Sequence, residues 1–266
     1  MIELSSVWFT YPGRPSPALR GVDLTVVEGE TLSVIGRNAS GKSTLCGLVS
    51  GVLEPDRGTI TVDGVSTPSP GGAVRSPAED ARSMSQIRRR VVLLQQNPES
   101  QFVSVTVERE IAAGPENLGF SPVETKAIVD ELLDFFGLRA VRRHPPGALS
   151  GGQMQKVLIA SLVAMRPAYL VLDEPTSYLD PFERLDVSRE LMRMSRELGT
   201  ALIWVTQFLQ EAVSLPRVVA LEQGTLCFDG PSEELKDRGD VLDSLRISRK
   251  ALERPAGLDR AWRLGN

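Results

Sequence analysis

Eight consecutive residues, Gly36-Arg37-Asn38-Ala39-Ser40-Gly41-Lys42-Ser43, fit the pattern G-x-x-x-x-G-K-[ST]. Those types at that spacing suit the cradling of a polyphosphate. The glycines let the backbone curl until the N–H groups of Asn38 to Thr44 face anionic oxygens, and the helix start that follows favours negative charge. Lys42 brings a point charge to the β- and γ-phosphates, and the Ser43 hydroxyl is a ligand for Mg²⁺. An apolar run, Thr31 to Ile35, precedes the loop and a helical run from Thr44 follows it. That strand–loop–helix setting marks a nucleotide site.

A second apolar run, Tyr169-Leu170-Val171-Leu172, ends in Asp173-Glu174. Side chains alternate along a strand, so the two carboxylates point differently and divide the labour. Asp173 suits a hydrated magnesium shell, and Glu174 polarises or aligns an attacking water. Leu149-Ser150-Gly151-Gly152-Gln153 opens a long apolar helix from Val157 to Met165. Its glycines and the Ser150 hydroxyl make a second anion-facing surface, which a monomer with one site would not need.

Positioning these groups requires a sheet. Val91 to Leu94 and Ala201 to Val205 join the two runs above as short, continuously apolar strands, the mark of a parallel sheet covered on both faces. The first forty residues instead alternate strands with turns, at Tyr11-Pro12-Gly13 and Glu28-Gly29-Glu30, and read as an antiparallel β layer. Residues 106–165 carry helical patterns broken by Gly114-Pro115 and Pro145-Pro146-Gly147, a helical subdomain inserted between sheet strands. Nine of the fourteen residues from 64 to 77 are Gly, Pro or Ser, a tract expected to form a mobile surface loop rather than to pack. The division is thus 1–230 as one α/β domain and 231–266 as a polar helical appendage outside the core.

Composition narrows the class. The net charge of −4 gives no basic field for nucleic acid. Two cysteines, Cys46 and Cys227, cannot build a disulfide framework and fit a reducing compartment. No apolar stretch approaches the roughly 20 residues that span a bilayer, so a membrane role requires a membrane-embedded partner.

In their order and over nearly the whole chain, these motifs resemble the ATP-binding-cassette (ABC) ATPases. The resemblance implies a P-loop NTPase core, ATP and Mg²⁺ as ligands, and a head-to-tail dimer in which Ser150, Gly151, Gly152 and Gln153 of one subunit cap the nucleotide of the other. It implies that Tyr11 stacks on adenine, that Gln96 senses Mg²⁺ and a transmembrane partner, and that Asp180 in Ser177-Tyr178-Leu179-Asp180 crosses the interface. Gln96-Asn97-Pro98-Glu99-Ser100-Gln101 and Gly114-Pro115-Glu116-Asn117-Leu118-Gly119 are similar to stretches in energy-coupling-factor (ECF) importer ATPases. That likeness implies an importer of a micronutrient, a vitamin or a metal ion, at the cytoplasmic face of the membrane, its docking groove lying between Gln96 and the helical insert near Phe102 and Val103.

The chain departs from the family twice. Where the family carries Thr-His, it has Thr206-Gln207-Phe208, and an amide cannot carry an imidazolium charge or shuttle a proton. Its one histidine, His144, is out of position for that role and reads as a surface residue. Tyr178 replaces the usual glycine, either harmless drift or an apolar anchor at the dimer seam. A homodimer then carries Gln207 at both sites and turns over slowly; a heterodimer with a related ATPase has one weakened site. The alternative is a regulatory cassette that binds ATP and scarcely hydrolyses it. A soluble cassette in translation or DNA repair lacks support, with one cassette, no coiled-coil insertion and no basic stripe.

Overall fold

The computed structural model describes residues 1–68, 76–96 and 101–248. Two sheets carry the chain. β1 (Ile2–Phe9) pairs antiparallel with β2 (Leu19–Val26) and with β4 (Arg57–Val62), which pairs with the two-residue β5 (Val65–Ser66). β3 (Thr31–Gly36), which lies between β2 and β4 in sequence, belongs to the second sheet. That sheet has the order β10-β9-β3-β8-β7-β6. Here β6 is Val91–Leu94, β7 is Tyr169–Asp173, β8 is Ala201–Val205, β9 is Arg217–Glu222 and β10 is Thr225–Pro231. β6, β7, β8, β3 and β9 run parallel, and β10 returns antiparallel at the edge.

The continuous apolar runs have the cause expected of them. Tyr169 and Val171 face a core shared with the antiparallel sheet and α1 (Lys42–Val49), whereas Leu170 and Leu172 face the helices on the other side. Those helices are α3 (Val107–Leu118), α4 (Pro122–Phe135), α5 (Gly151–Val163) and α6 (Pro181–Leu198). Each start is written in the sequence. Ser121 and Glu124 form a reciprocal capping box ahead of Pro122, and Ser150 with Gln153 does the same for α5. The Asp180 carboxylate accepts the N–H groups of Phe182 and Glu183 at 2.8 and 2.9 Å, which starts α6.

Two expectations are corrected. The tract 64–77 packs at both ends: Val65 and Ser66 form β5, and Ser76 caps α2 (Pro77–Arg90) through a capping box with Glu79. Turn-forming composition hid these roles, because Ser and Pro are also helix-start residues; residues 69–75 lie outside the described residues. The stretch from 231 is likewise no free appendage as far as Leu245. Leu235, Val241, Leu242 and Leu245, the last three on α8 (Gly239–Leu245), are buried with Ile35, Val218, Ala220 and Phe228 in a third apolar cluster. Its few apolar residues are spaced to meet one face of the sheet, which the average polarity of the segment concealed. α8 ends at Leu245, with Arg246 as its left-handed cap, and residues 249–266 lie outside the described residues.

Candidate nucleotide site

The sequence motifs gather at the carboxyl ends of neighbouring parallel strands, where open α/β sheets hold their ligands. β3 ends at Gly36, β7 at Asp173, and β8, which lies between them, at Val205. Gly36 has φ +156°, and a Cβ there would lie 2.4 Å from both the Leu221 carbonyl oxygen and Ser40 Oγ. The β9–β10 turn thus presses on the loop, and its Gly224 N–H donates to the Ser40 carbonyl at 3.0 Å. Gly41 has φ +107°, and a Cβ there would strike Leu19 and the Ala18 carbonyl. Only glycine fits at either place, so the close backbone cradle is enforced by packing.

Lys42 is buried, and its Nζ donates to the carbonyls of Gly36 at 2.9 Å and Arg37 at 3.1 Å. Burial lowers its pKa, while Glu174 and Asp173 hold it up. Burial raises the pKa of Asp173, against the Ser43 hydroxyl bonded to it and Lys42. Glu174 is also raised by burial, with Lys42 opposing and Asp173 adding to the rise. One ammonium therefore faces two carboxylates in a partly desolvated space. Ser40 Oγ, at the floor of the loop, is buried without a hydrogen-bond partner. A cleft of about 390 Å³ opens beside these groups, lined by Tyr11, Arg14, Ala39, Lys42, Ser43 and Thr44 among others. The Tyr11 hydroxyl lies 3.2 Å from Thr44 Oγ1, and its ring meets Phe9 edge-on at 4.9 Å.

Strand alternation does not by itself set the direction of Glu174, which lies one residue past the end of β7. Glu174 leaves β7 in the left-handed region, φ +51°, its N–H bonded to the Val205 carbonyl at 3.0 Å. A non-glycine residue held there is strained, a state that needs its surroundings to persist. Gln96 Nε2 donates to Glu174 Oε2 at 3.3 Å, which brings the second residue past β6 to the same place. Gln207 is exposed just past β8.

The second motif sits elsewhere. The Ser150 hydroxyl accepts from Gln153 N–H at 3.2 Å and donates to Glu183 Oε1 at 3.1 Å, and Gln153 Oε1 takes the Ser150 N–H. Ser150 and Gln153 are thus engaged with α5 and α6, and none of residues 150–153 lines the phosphate-loop cleft. Lys156 adds ion pairs to Asp186 and Glu190 at 2.6 and 3.0 Å, fastening α5 to α6. Asp180 is exposed and committed to capping α6, beside Tyr178 and Phe182, which are 68% and 87% exposed. His144 is exposed. Asn97 to Ser100, part of the ECF-like stretch, lie outside the described residues.

Sequence reasoning missed three buried or bridging carboxylates. Glu110 accepts the N–H groups of Val103 and Ser104 at 3.1 and 2.8 Å. Glu183 meets Ser150, and Glu211 takes two threonine hydroxyls. Their only sequence signal is an acidic residue at an inward position of a helix.

A glycine-walled phosphate loop at the carboxyl ends of a parallel sheet, with Lys42 against Asp173 and Glu174, defines a P-loop nucleotide-binding protein. The family model described as ABC transporter matches residues 19–177. The chain is 43% identical over 230 residues to an energy-coupling factor transporter ATP-binding protein EcfA1 of Symbiobacterium thermophilum, covering 86% of this chain and 76% of that protein. It is 36% identical to a cobalt import ATP-binding protein CbiO of Syntrophus aciditrophicus, over 99% and 88% of the two chains. Among solved structures it is similar to cbiO1 of Clostridium perfringens, part of the ABC transporter complex cbiONQ, with TM-score 0.78, 27% identity and coverage of 94% and 96%. It is also similar to the dimeric post-hydrolysis cassette MJ0796 bound to ADP and Pi, with TM-score 0.73, 25% identity and coverage of 87% and 99%. The chain belongs to the ABC transporter family. It is an ATP-binding and ATP-hydrolysing cassette subunit of the energy-coupling-factor importer type.

Proposed function

We propose that this chain powers uptake of a micronutrient, a vitamin or a metal ion, from the cytoplasmic face of the membrane, paired with a second cassette and docked on integral membrane subunits. The observation that carries the catalytic part is the convergence of Lys42, Asp173 and Glu174 at the ends of β3 and β7. Lys42 exchanges its two carbonyl partners for phosphate oxygens, and the loop N–H groups from Asn38 to Thr44 surround the rest. Tyr11 supports the adenine. Glu174, half-buried and with its pKa raised by that burial, holds the water in line with the γ-phosphate. The Gln207 amide orients that water or the phosphate without taking a proton.

The fit to magnesium rests on the donor set: the Ser43 hydroxyl bonded to Asp173, with the Gln96 amide reaching the same carboxylate cluster. Hydroxyl, carboxylate and amide oxygens are the hard ligands this ion prefers. Bound there, it would neutralise charge on the phosphate oxygens.

No helix among the described residues is long and apolar enough to cross a membrane. The docking surface we assign is a groove of about 560 Å³ walled by Phe102, Ser104, Val105, Pro145, Pro146 and Met154. Phe102 is half-buried against the helical core, whereas Val103 and Val105 are both 80% exposed. Phe102 thus serves packing and groove alike, and Val103 is free for contact. The exposed Tyr178 and Phe182 make an apolar pair for the second cassette, and Ser150 to Gln153 with Asp180 face its nucleotide. A related, non-identical partner suits the chain best, because Gln207 then weakens one site only.

The test is phosphate release under single-turnover conditions. Glu174→Gln is expected to bind ATP and lose hydrolysis by roughly 10²–10⁴-fold. Undiminished turnover would show that another group serves as the base.

A further inference from the structure

Glu211 takes no part in the motifs or in the roles assigned above, yet it is 3% exposed on the short helix α7 (Leu209–Ala212). Thr176 Oγ1 donates to its Oε1 at 2.7 Å, and Thr206 Oγ1 donates to its Oε2 at 2.6 Å. Thr176 lies two residues beyond Glu174, and Thr206 one residue before Gln207. Thr206 Oγ1 in turn accepts the Phe208 N–H at 3.0 Å, which fixes the turn that carries Gln207. Arg184 of α6 closes the far side. Its guanidinium carbon sits 3.4 Å from the Phe208 ring centroid, its Nη2 donates to the Leu179 carbonyl at 3.2 Å, and its Nε is 3.9 Å from Glu211.

A carboxylate so deeply placed is costly unless bonded, and apolar residues often serve stability as well or better. Burial pushes its pKa up, while both threonine hydroxyls and Arg184 pull it back. What two oxygens on one rigid carboxylate add, and an apolar pair cannot, is a set distance between two hydroxyls.

We propose that Glu211 is a positioning residue for ATP hydrolysis: its carboxylate spans the ends of β7 and β8 and sets the separation of Glu174 from Gln207. The proposal rests on the catalytic roles assigned to those two residues. Arg184 extends the same bridge to Leu179, so the segment expected at the dimer seam is tied to the turn that carries Gln207.

Misplacing reacting groups by an ångström costs on the order of 10²-fold. In the full chain at saturating magnesium–ATP, Glu211→Ala is therefore expected to lower kcat about 10- to 100-fold, with the KM for ATP held within about threefold. Glu211→Gln should recover much of the loss, since its amide accepts from one threonine hydroxyl and donates to the other. Thr206→Val should add little on top of Glu211→Ala, as expected of groups acting as one unit. Amide exchange in Glu211→Ala should rise together in peptides covering 174–180 and 205–209 while β3 stays protected. A folded Glu211→Ala protein with unchanged kcat overturns the proposal. So does a loss in which KM, melting temperature and exchange across the whole sheet move in proportion, the sign of a merely structural role. Glu174→Gln, run alongside, separates two failures. Turnover retained there removes the catalytic reading on which the bridge stands; turnover lost there but intact in Glu211→Ala overturns the bridge alone.

Discussion

Replacing Tyr11 tests which part of the nucleotide the cleft recognises. The ring is held from two sides, edge-on by Phe9 at 4.9 Å and through its hydroxyl, 3.2 Å from Thr44 Oγ1, so its face is set before any ligand arrives. Stacking of a base on an aromatic ring is worth about 1–3 kcal/mol by alanine substitution, or about 5- to 150-fold in Kd. The hydroxyl contact is a neutral, part-exposed hydrogen bond, worth about 0.5 kcal/mol at the low end of its class. Tyr11→Phe should therefore bind ATP within about threefold of the unaltered chain, whereas Tyr11→Ala should lose the full stacking energy. Calorimetric titration with magnesium–ATP measures both variants, and inorganic triphosphate serves as the control, since it shares the phosphate loop and lacks a base. Triphosphate affinity should be the same in all three proteins. Equal losses for Tyr11→Phe and Tyr11→Ala, or a Tyr11→Ala loss shared by triphosphate, would refute the stacking argument and make Tyr11 a support for Thr44 instead.

Gln207→His, which restores a group able to carry charge and a proton, should raise phosphate release by at least about tenfold; no gain would sink the idea that Gln207 slows this site. Glu110→Ala strands the N–H groups of Val103 and Ser104, and should lower unfolding stability by about 2–4 kcal/mol, with a loss under about 1 kcal/mol in urea titration counting against the pin. Asp63 accepts from the chain amine, from Arg90 at 2.7 Å and from Tyr169 at 2.9 Å. Burial alone would raise its pKa, and these three bonds outweigh burial and lower it. Its folded pKa lies below the unfolded value, so its contribution is present above the unfolded pKa and fades as pH falls through the folded one. Asp63→Asn should accordingly destabilise at pH 7 and cost progressively less as pH drops below 4, and a penalty constant between pH 7 and pH 3 would contradict that linkage.

What could be read from the chain beforehand was whatever the chain writes contiguously. Gly36 to Ser43, Tyr169 to Glu174 and Ser150 to Gln153 each carry donors, acceptors and backbone freedom within a few residues, so spacing alone displays the chemistry. The strand runs were equally plain, because Leu170 and Val171 must satisfy two opposite faces of one sheet. β9 and β10 escaped notice although they buttress the phosphate loop through Leu221 and Gly224, for that contact joins residues some 185 positions apart. Glu211 and Glu183 were invisible for the same reason: each is one acidic residue in a helix until the fold brings Thr176, Thr206 or Ser150 to it. The packed tail was obscured differently, since Val241, Leu242 and Leu245 are too few to shift the composition of a polar segment yet enough to fill one cluster.

Glu183 on Ser150, with Lys156 on Asp186 and Glu190, joins the start of one helix to the flank of the next. The first turn of α5 at 150–153 and the exposed aromatics at 178 and 182 are consequently two corners of a single slab rather than independent fingers. Any tilt of that slab relative to β3 must carry both corners at once, so a neighbour pressing on Phe182 also displaces Ser150.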